Sequence, residues 1–429
     1  MIIGMFVESL VSAIDTAFLG RVGEIETGAA VIASTFYLIF FCLGSGFCNG
    51  TQILIGYRNG EKKYHKVGAI AENGLYSIWA YALIAVVFVF TLAPYILDAV
   101  IASPIILSKT KEFLQIRIFT LFFSLANVIL RLFFVGIQKY VKHITISSIL
   151  CAVVNFVLDY LLIFGKFGFP AMGLKGAALA SVLCEVVALL YFVVLILVKV
   201  DRKKYQLFYF DKPSFKLMKE NISLSFYLML QNLFSLLSWF LLFAIIEKTG
   251  EHNLAASNMA RSYYILFLTP LWAYQASCSS FVSNAIGAGQ FSQVSKIIKR
   301  MLIVSVTTGV IVILPMLSIP KLIMSIFTES PQLIEIGSRI FYPIALGTLI
   351  GTISQILVTT IAATRNTKFV LLMETISVIF YLIWGYWAAF SFPTHIEITW
   401  FGESIYYLML VIIGGTYIRR KIIQPKVGL

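Results

Sequence analysis

Asn155 and Asp159 stand four residues apart inside the apolar run CAVVNFVLDYLLIFG, residues 151–165. On a helix that spacing puts amide and carboxylate on one face, a turn apart. A carboxylate in hydrocarbon costs on the order of 3 kcal/mol by insertion scales, so it turns inward and usually has a task. A solvated carboxylate near a helix end is the simpler alternative; Asp159 lies too far inside the run for it. Asp15 and Glu8, seven apart, share a face of the first apolar segment, and Ser181 and Glu185, four apart, share one of the sixth. Two carboxylates, an amide oxygen, a hydroxyl and a backbone carbonyl suit Na⁺, which takes hard oxygen ligands. Close carboxylates equally share a proton, because like charges hold one another's proton on. The residue types do not choose between the two. A structural reading also stands, in which Arg131 neutralises Asp159 or Glu185 in a buried pair.

These residues need a bilayer around them. The chain has 429 residues, 59% hydrophobic and 12% charged, with a mean hydropathy of +0.91, and a soluble chain carries about twice that charge. Strand-length alternation is absent, so helices are the spanning solution and the fold class is all-α, polytopic. Twelve apolar segments are predicted, roughly 2–19, 29–56, 68–97, 113–138, 143–165, 172–198, 221–246, 255–287, 297–327, 334–363, 369–391 and 398–418. Nothing resembling a signal peptide precedes the first, which reads as a helix. Cys42, Cys48, Cys151, Cys184 and Cys278 fall inside apolar runs without metal or disulfide spacing.

The net charge of +13 is concentrated in alternate connections: 58–66, 139–142, 199–220, around Lys296–Arg300, Arg365–Lys368, and the C-terminal tail. The positive-inside rule puts these, and both termini, in the cytoplasm of a cell whose plasma (inner) membrane holds the chain. The charge is therefore topological, and no nucleic-acid partner is expected. The chain also repeats itself. GRVGEIETGAAVIAS (20–34) resembles KTGEHNLAASNMA (248–260), and Gly60 falls on Gly289, at offsets of 227 to 229 residues. Six helices per half make a parallel repeat: an N-terminal lobe 1–200, a cytoplasmic linker 201–220 and a C-terminal lobe 221–429, two pseudo-symmetric bundles around a central cleft. Pro270, Pro315 and Pro343 in the second half, and Gly44, Gly46 and Gly50 in the first, are candidate sites of kinking or simply tolerated.

Ionisable residues are unequally divided. The first half carries Glu8, Asp15, Arg131, Asp159 and Glu185 at depth, the second only Arg261 and Glu374, which read as packing or cavity-lining groups. A cation site is expected in the first half. His143 and His395 read as interfacial. Abundant aromatics such as Phe36, Tyr37, Tyr263 and Tyr264 suit a cationic ligand only weakly, since most face lipid or core.

The segments SAIDTAFLGRVGEIETGAA (12–30), VVNFVLDYLLIFG (153–165) and GLKGAALAS (173–181), with the IGxxxG-like ends of helices 2 and 8, resemble the multidrug and toxic compound extrusion (MATE) transporters, DinF-like branch. The resemblance covers essentially the whole chain. It implies a secondary active antiporter exporting an amphipathic, cationic small molecule in exchange for Na⁺ or H⁺, with no cofactor and no enzymatic activity, working as a monomer in the lipid bilayer. It implies a coupling site at Asp15, Asn155 and Asp159, with the Ser181 hydroxyl and the Ala177 carbonyl, and Asn127 as a polar neighbour. Two departures stand out. The NorM-like branch adds acidic residues in helices 7 and 10; here helix 7 offers Gln231 and Asn232, and helix 10 no mid-helix carboxylate, so no cation site is expected in the second lobe. The family's first helix carries a proline upstream of its Asp; this chain begins at Met1 without it, which leaves a truncated start or a different bending mechanism.

Other classes fit less well. A lipid-linked oligosaccharide flippase of the related superfamily needs several deep basic residues, and only Arg131 and Arg261 are deep. A membrane enzyme needs clusters such as DDxxD or HExxH, which are absent. A channel is disfavoured by the bilobed repeat.

Overall fold

The computed structural model describes Gly4, Val7, Asp15, 18–209 and 212–423. Among these residues every regular element is helical. The chain divides into two compact units, Met1–Met229 and Leu230–Leu429.

The first unit contains α1 (Glu24–Gly60), α2 (Tyr64–Thr91), α3 (Ala93–Val100), α4 (Pro104–Arg117), α5 (Thr120–Gly136), α6 (Lys142–Phe164), α7 (Leu174–Lys199) and the short α8 (Arg202–Tyr205). Helix α9 (Phe215–Glu247) runs through the division. The second unit continues with α10 (Glu251–Gly287), α11 (Phe291–Ser318), α12 (Pro320–Ser325), α13 (Pro331–Ala363), α14 (Thr367–Ser391) and α15 (Ile396–Ile418), closed by a π-helical turn Arg419–Ile423.

Nine of the described helices are long and apolar enough to cross a bilayer; the bent pair α4 and α5 makes a tenth if it is one span. Of the twelve expected segments, 2–19 lies almost wholly outside the described residues. Segment 255–287 forms α10, 37 residues long but too polar for that group of nine, with Arg261, Asn258 and a run of serines along it. Segment 113–138 is corrected: the helix starts earlier, at Pro104, and breaks after Arg117 with a 43° bend.

The repeat is carried by identical starting points. Glu24 and Glu251, Tyr64 and Phe291, and Pro104 and Pro331 open corresponding helices 227 residues apart. The Pro104 and Pro331 helices each follow a serine, Ser103 or Ser330, in extended backbone. Proline's fixed φ suits the first helical position and forces its predecessor out of the helix.

The halves differ where the prolines do not predict it. Helices α10, α11 and α13 run unbroken through Pro270, Pro315 and Pro343, whereas the break is in the first unit, at Ile118–Phe119. There the backbone bonds tighten to i→i−3, Phe119 N–H to Ile116 O at 3.2 Å and Leu121 N–H to Ile118 O at 3.1 Å. That is the 3₁₀ pattern, which changes the helix direction without a proline.

Two glycines fix the hairpin of α6 and α7. Gly165 ends α6 at φ 66°, a left-handed cap that a side chain rarely adopts. Gly176 brings α7 against the carbonyl of Leu162. Residues 201–220, expected as a linker, are bound to the first unit: Tyr209 N–H donates to Glu72 Oε1 at 3.0 Å and Ser214 N–H to Asn73 Oδ1 at 2.7 Å, both on α2.

A Cβ on Gly176 would lie 2.6 Å from Leu162 O, closer than packed atoms tolerate. Gly176→Val is expected to cost about 1–3 kcal/mol by forcing the helices apart, lowering the thermal unfolding midpoint in detergent. Gly28→Ala, with nothing within 4 Å, is expected to leave the midpoint unchanged or raise it.

Candidate functional site

Helix α6 carries Asn155 and Asp159 on its buried face, 2% and 0% exposed. With its nitrogen turned toward the carboxyls, the orientation that satisfies its hydrogen bonds, the Asn155 amide donates to Asp15 Oδ1 at 2.8 Å and to Asp159 Oδ2 at 3.3 Å. The two aspartates are also hydrogen-bonded to one another. Ionised carboxylates only accept, so such a contact needs a proton or another cation between them. Asp159 Oδ1 is buried with no hydrogen-bond partner among the described residues. Thus Asp15, Asn155 and Asp159, the trio that the family resemblance implies, come together.

Ser181 and Ala177 lie on α7 and are buried. The Ser181 hydroxyl donates to Ala177 O at 3.0 Å, so its hydrogen is spent within the helix and its lone pairs stay available. Asn127 on α5 and Glu185 on α7 cross-link their helices: Asn127 Nδ2 donates to Glu185 Oε2 at 2.6 Å and to Glu185 O at 2.9 Å. Arg131 follows Asn127 by one turn on α5, half-buried. Glu8 lies outside the described residues.

The cation acting on both aspartates is one that the sequence reading missed, Arg117. Its guanidinium carbon sits 5.1 Å from the centre of the Tyr37 ring, and Tyr37 Oη is 3.1 Å from Ser124 Oγ. Arg117 lies inside the expected segment 113–138 and was given no role there. The Ser103–Pro104 start signal would have placed it at the end of a helix that begins at Pro104, next to the break.

The second unit holds more charge at depth than expected. Glu374 on α14 accepts from Tyr406 Oη at 2.7 Å and Gln231 Nε2 at 3.4 Å. Glu403 on α15, 2% exposed, is an addition to the predicted pair of Arg261 and Glu374. It accepts from Trp239 Nε1 at 2.9 Å, Tyr381 Oη at 3.2 Å and Tyr264 Oη at 3.5 Å. Its place six residues after Glu397, near a helix start, hid it. No group of three or more His, Cys, Asp or Glu with metal-holding geometry occurs among the described residues.

The sequence profile of the family described as MatE matches residues 1–161 and 227–387. A "Probable multidrug resistance protein NorM" of Agrobacterium fabrum is 26% identical over 343 residues, 79% of this chain and 72% of its own length. A "Probable multidrug resistance protein YoeA" of Bacillus subtilis is 24% identical over 418 residues, 93% of this chain and 87% of its own. Among solved structures, an outward-facing multidrug resistance MATE family transporter of the MOP superfamily superposes with a TM-score of 0.87 at 19% identity, covering 98% of this chain and 93% of that one. A MOP superfamily transporter from Pyrococcus furiosus gives 0.87 at 17% identity, with the same coverage of 98% and 93%. At these identities the structural likeness speaks for the fold.

The bridging role of Asn155 has a direct consequence. Asn155→Ala leaves a buried oxygen on each aspartate without its donor and is expected to destabilise by about 1–3 kcal/mol. Thermal unfolding in detergent checks this; an unchanged midpoint would mean that the amide does not bridge the carboxyls.

Proposed function

The chain belongs to the MatE family, and from that premise and the carboxyl pair of the first unit we propose that it is a secondary active antiporter. In this reading it sits in the plasma (inner) membrane with both termini cytoplasmic and exports amphipathic, cationic organic compounds in exchange for Na⁺ or H⁺. The multidrug resistance names of its relatives support the efflux role. The observation that carries the coupling is the meeting of Asp15, Asn155 and Asp159 in a buried site.

The Asn155 amide supplies a way to exchange the ion. With nitrogen inward it bridges the two aspartates by donating to both. Turned by half a rotation, it presents its oxygen beside two carboxyl oxygens, and the same three positions become acceptors for one small cation. The lone pairs of Ser181 and the unpartnered Asp159 Oδ1 extend the oxygen set. A proton serves the same end by bonding the two carboxyls directly. Either ion neutralises charge that hydrocarbon penalises, and an ion that binds one conformation better shifts the population toward it. Arg117 opposes occupancy: a fixed positive charge near the pair competes with a mobile one, which favours release.

Efflux of a fluorescent cationic dye from proteoliposomes, with Na⁺ and pH gradients imposed separately, tests this. One gradient is expected to drive export by the wild type. Asp15→Asn and Asp159→Asn should each reduce it about tenfold or more, within the usual range of coupling free energies, while inserting normally. Undiminished gradient-driven export by both variants would overturn the reading.

A further inference from the structure

We propose that Glu403 is a proton-binding site of the second unit, separate from the aspartate pair and not dependent on its role. Helices α9, α10, α14 and α15 all contribute to it. Trp239 comes from α9, Tyr264 from α10 and Tyr381 from α14, and each donates to the Glu403 carboxyl. Helix α13 closes the fourth side, where Gly347 leaves 3.2 Å between its Cβ position and Glu403 Cβ.

The charge balance asks for a ligand. Neither Glu403 nor Glu374 is in an ion pair with a basic side chain among the described residues. Arg261, one turn before Tyr264 on α10, lies with its guanidinium carbon 4.5 Å from the centre of the Phe243 ring, and its Nε is buried without a hydrogen-bond partner. The nearby titratable groups are otherwise phenols and the second carboxyl: Tyr264, Tyr381, Tyr406, Tyr407 and Glu374. An ionised Glu403 would thus be an uncompensated charge in an apolar bundle.

The donor set selects a proton over a metal ion. An indole N–H has no lone pair to offer a cation, and here it points at Oε1 from 2.9 Å. A protonated carboxyl instead needs one acceptor for its new O–H. Thr399 is one turn earlier on α15, fully buried, and its hydroxyl oxygen has no partner. Long helical side chains lean toward the N-terminus, so a rotamer change of Glu403 on protonation would bring its O–H within reach of Thr399.

A hydrogen-bonded path leads to the site. Glu403 Oε2 is bonded to Tyr264 Oη, which is 3.2 Å from Tyr407 Oη. Tyr407 is bonded to Gln355, and Gln355 to Gln275, both half-buried. A hydronium ion that reaches Tyr407 along the two amides, which orient it without relaying a proton, gives up one proton there. The hydroxyls relay it by each accepting one and passing one on, leaving water at the entrance and a neutral carboxyl at Glu403.

Trp239 is a built-in reporter, bonded to Glu403 and stacked on Tyr264 with ring centres 6.1 Å apart. Intrinsic fluorescence of the full chain in nanodiscs would be followed against pH, with the Trp239→Phe signal subtracted so that the other tryptophans cancel. The Trp239 component is expected to titrate in the wild type and in Asp159→Asn, and to lose its titration in Glu403→Gln. A Trp239 signal that ignores pH, or that titrates alike in Glu403→Gln, would overturn the proposal. Should Glu403→Gln fail to fold, Thr399→Val serves: a shifted midpoint supports the site and an unmoved one overturns it. Loss of titration in Asp159→Asn as well would assign the signal to the first unit and likewise overturn the proposal.

Discussion

An ionised carboxylate in a hydrocarbon layer is tolerated only when a proton, a cation or several donors meet it, and the buried acids of this chain divide by which of these they use. Glu72 accepts the backbone N–H of Tyr209, and Glu185 accepts the Asn127 amide. Glu403 and Glu374 are held by phenol, indole and amide hydrogens. Asp15 and Asp159 are different, because they are held by one another and by the single amide of Asn155. Donors of that kind compensate a single carboxylate in part. An acid pair cannot stay doubly charged at contact, so it must hold a proton or a cation, and that obligation is the basis of the proposed coupling role.

The same repeated scaffold carries both arrangements. Corresponding helices begin 227 residues apart, yet the span that is broken after Arg117 in the first unit is the continuous α13 in the second, where the equivalent residue is Ile344. One half thus places a guanidinium beside its acids and the other an apolar side chain. Divergence at a helix break, on a conserved pattern of starts, is enough to give the units different electrostatics.

Much of this is written in the sequence at short range. The i, i+4 spacing of Asn155 and Asp159 inside an apolar run, and of Ser181 above Ala177, specifies faces of single helices, which periodicity reports well. The offset of the repeat is legible because turn glycines and Ser-Pro starts are local signals. What escaped depends on tertiary packing. The break at Ile118–Phe119 carries no proline, and helices with Pro270, Pro315 and Pro343 remain continuous because neighbouring groups absorb the lost bond. Arg117 and Glu403 sit near segment ends in the sequence, and only the packing of other helices shows them to be interior. The bond between Asp15 and Asp159 joins residues 144 positions apart, which no spacing rule could have supplied.

Binding linkage offers the most direct test of the antiport account, since a substrate that competes with the coupling ion must expel it. A fluorescent cationic dye would be added to purified, weakly buffered protein while a pH indicator and a Na⁺-selective electrode record what leaves. The account predicts release of about one cation per chain from the wild type and none from Asp15→Asn or Asp159→Asn. Equal release from the variants, or dye binding by the wild type with neither ion displaced, would contradict it.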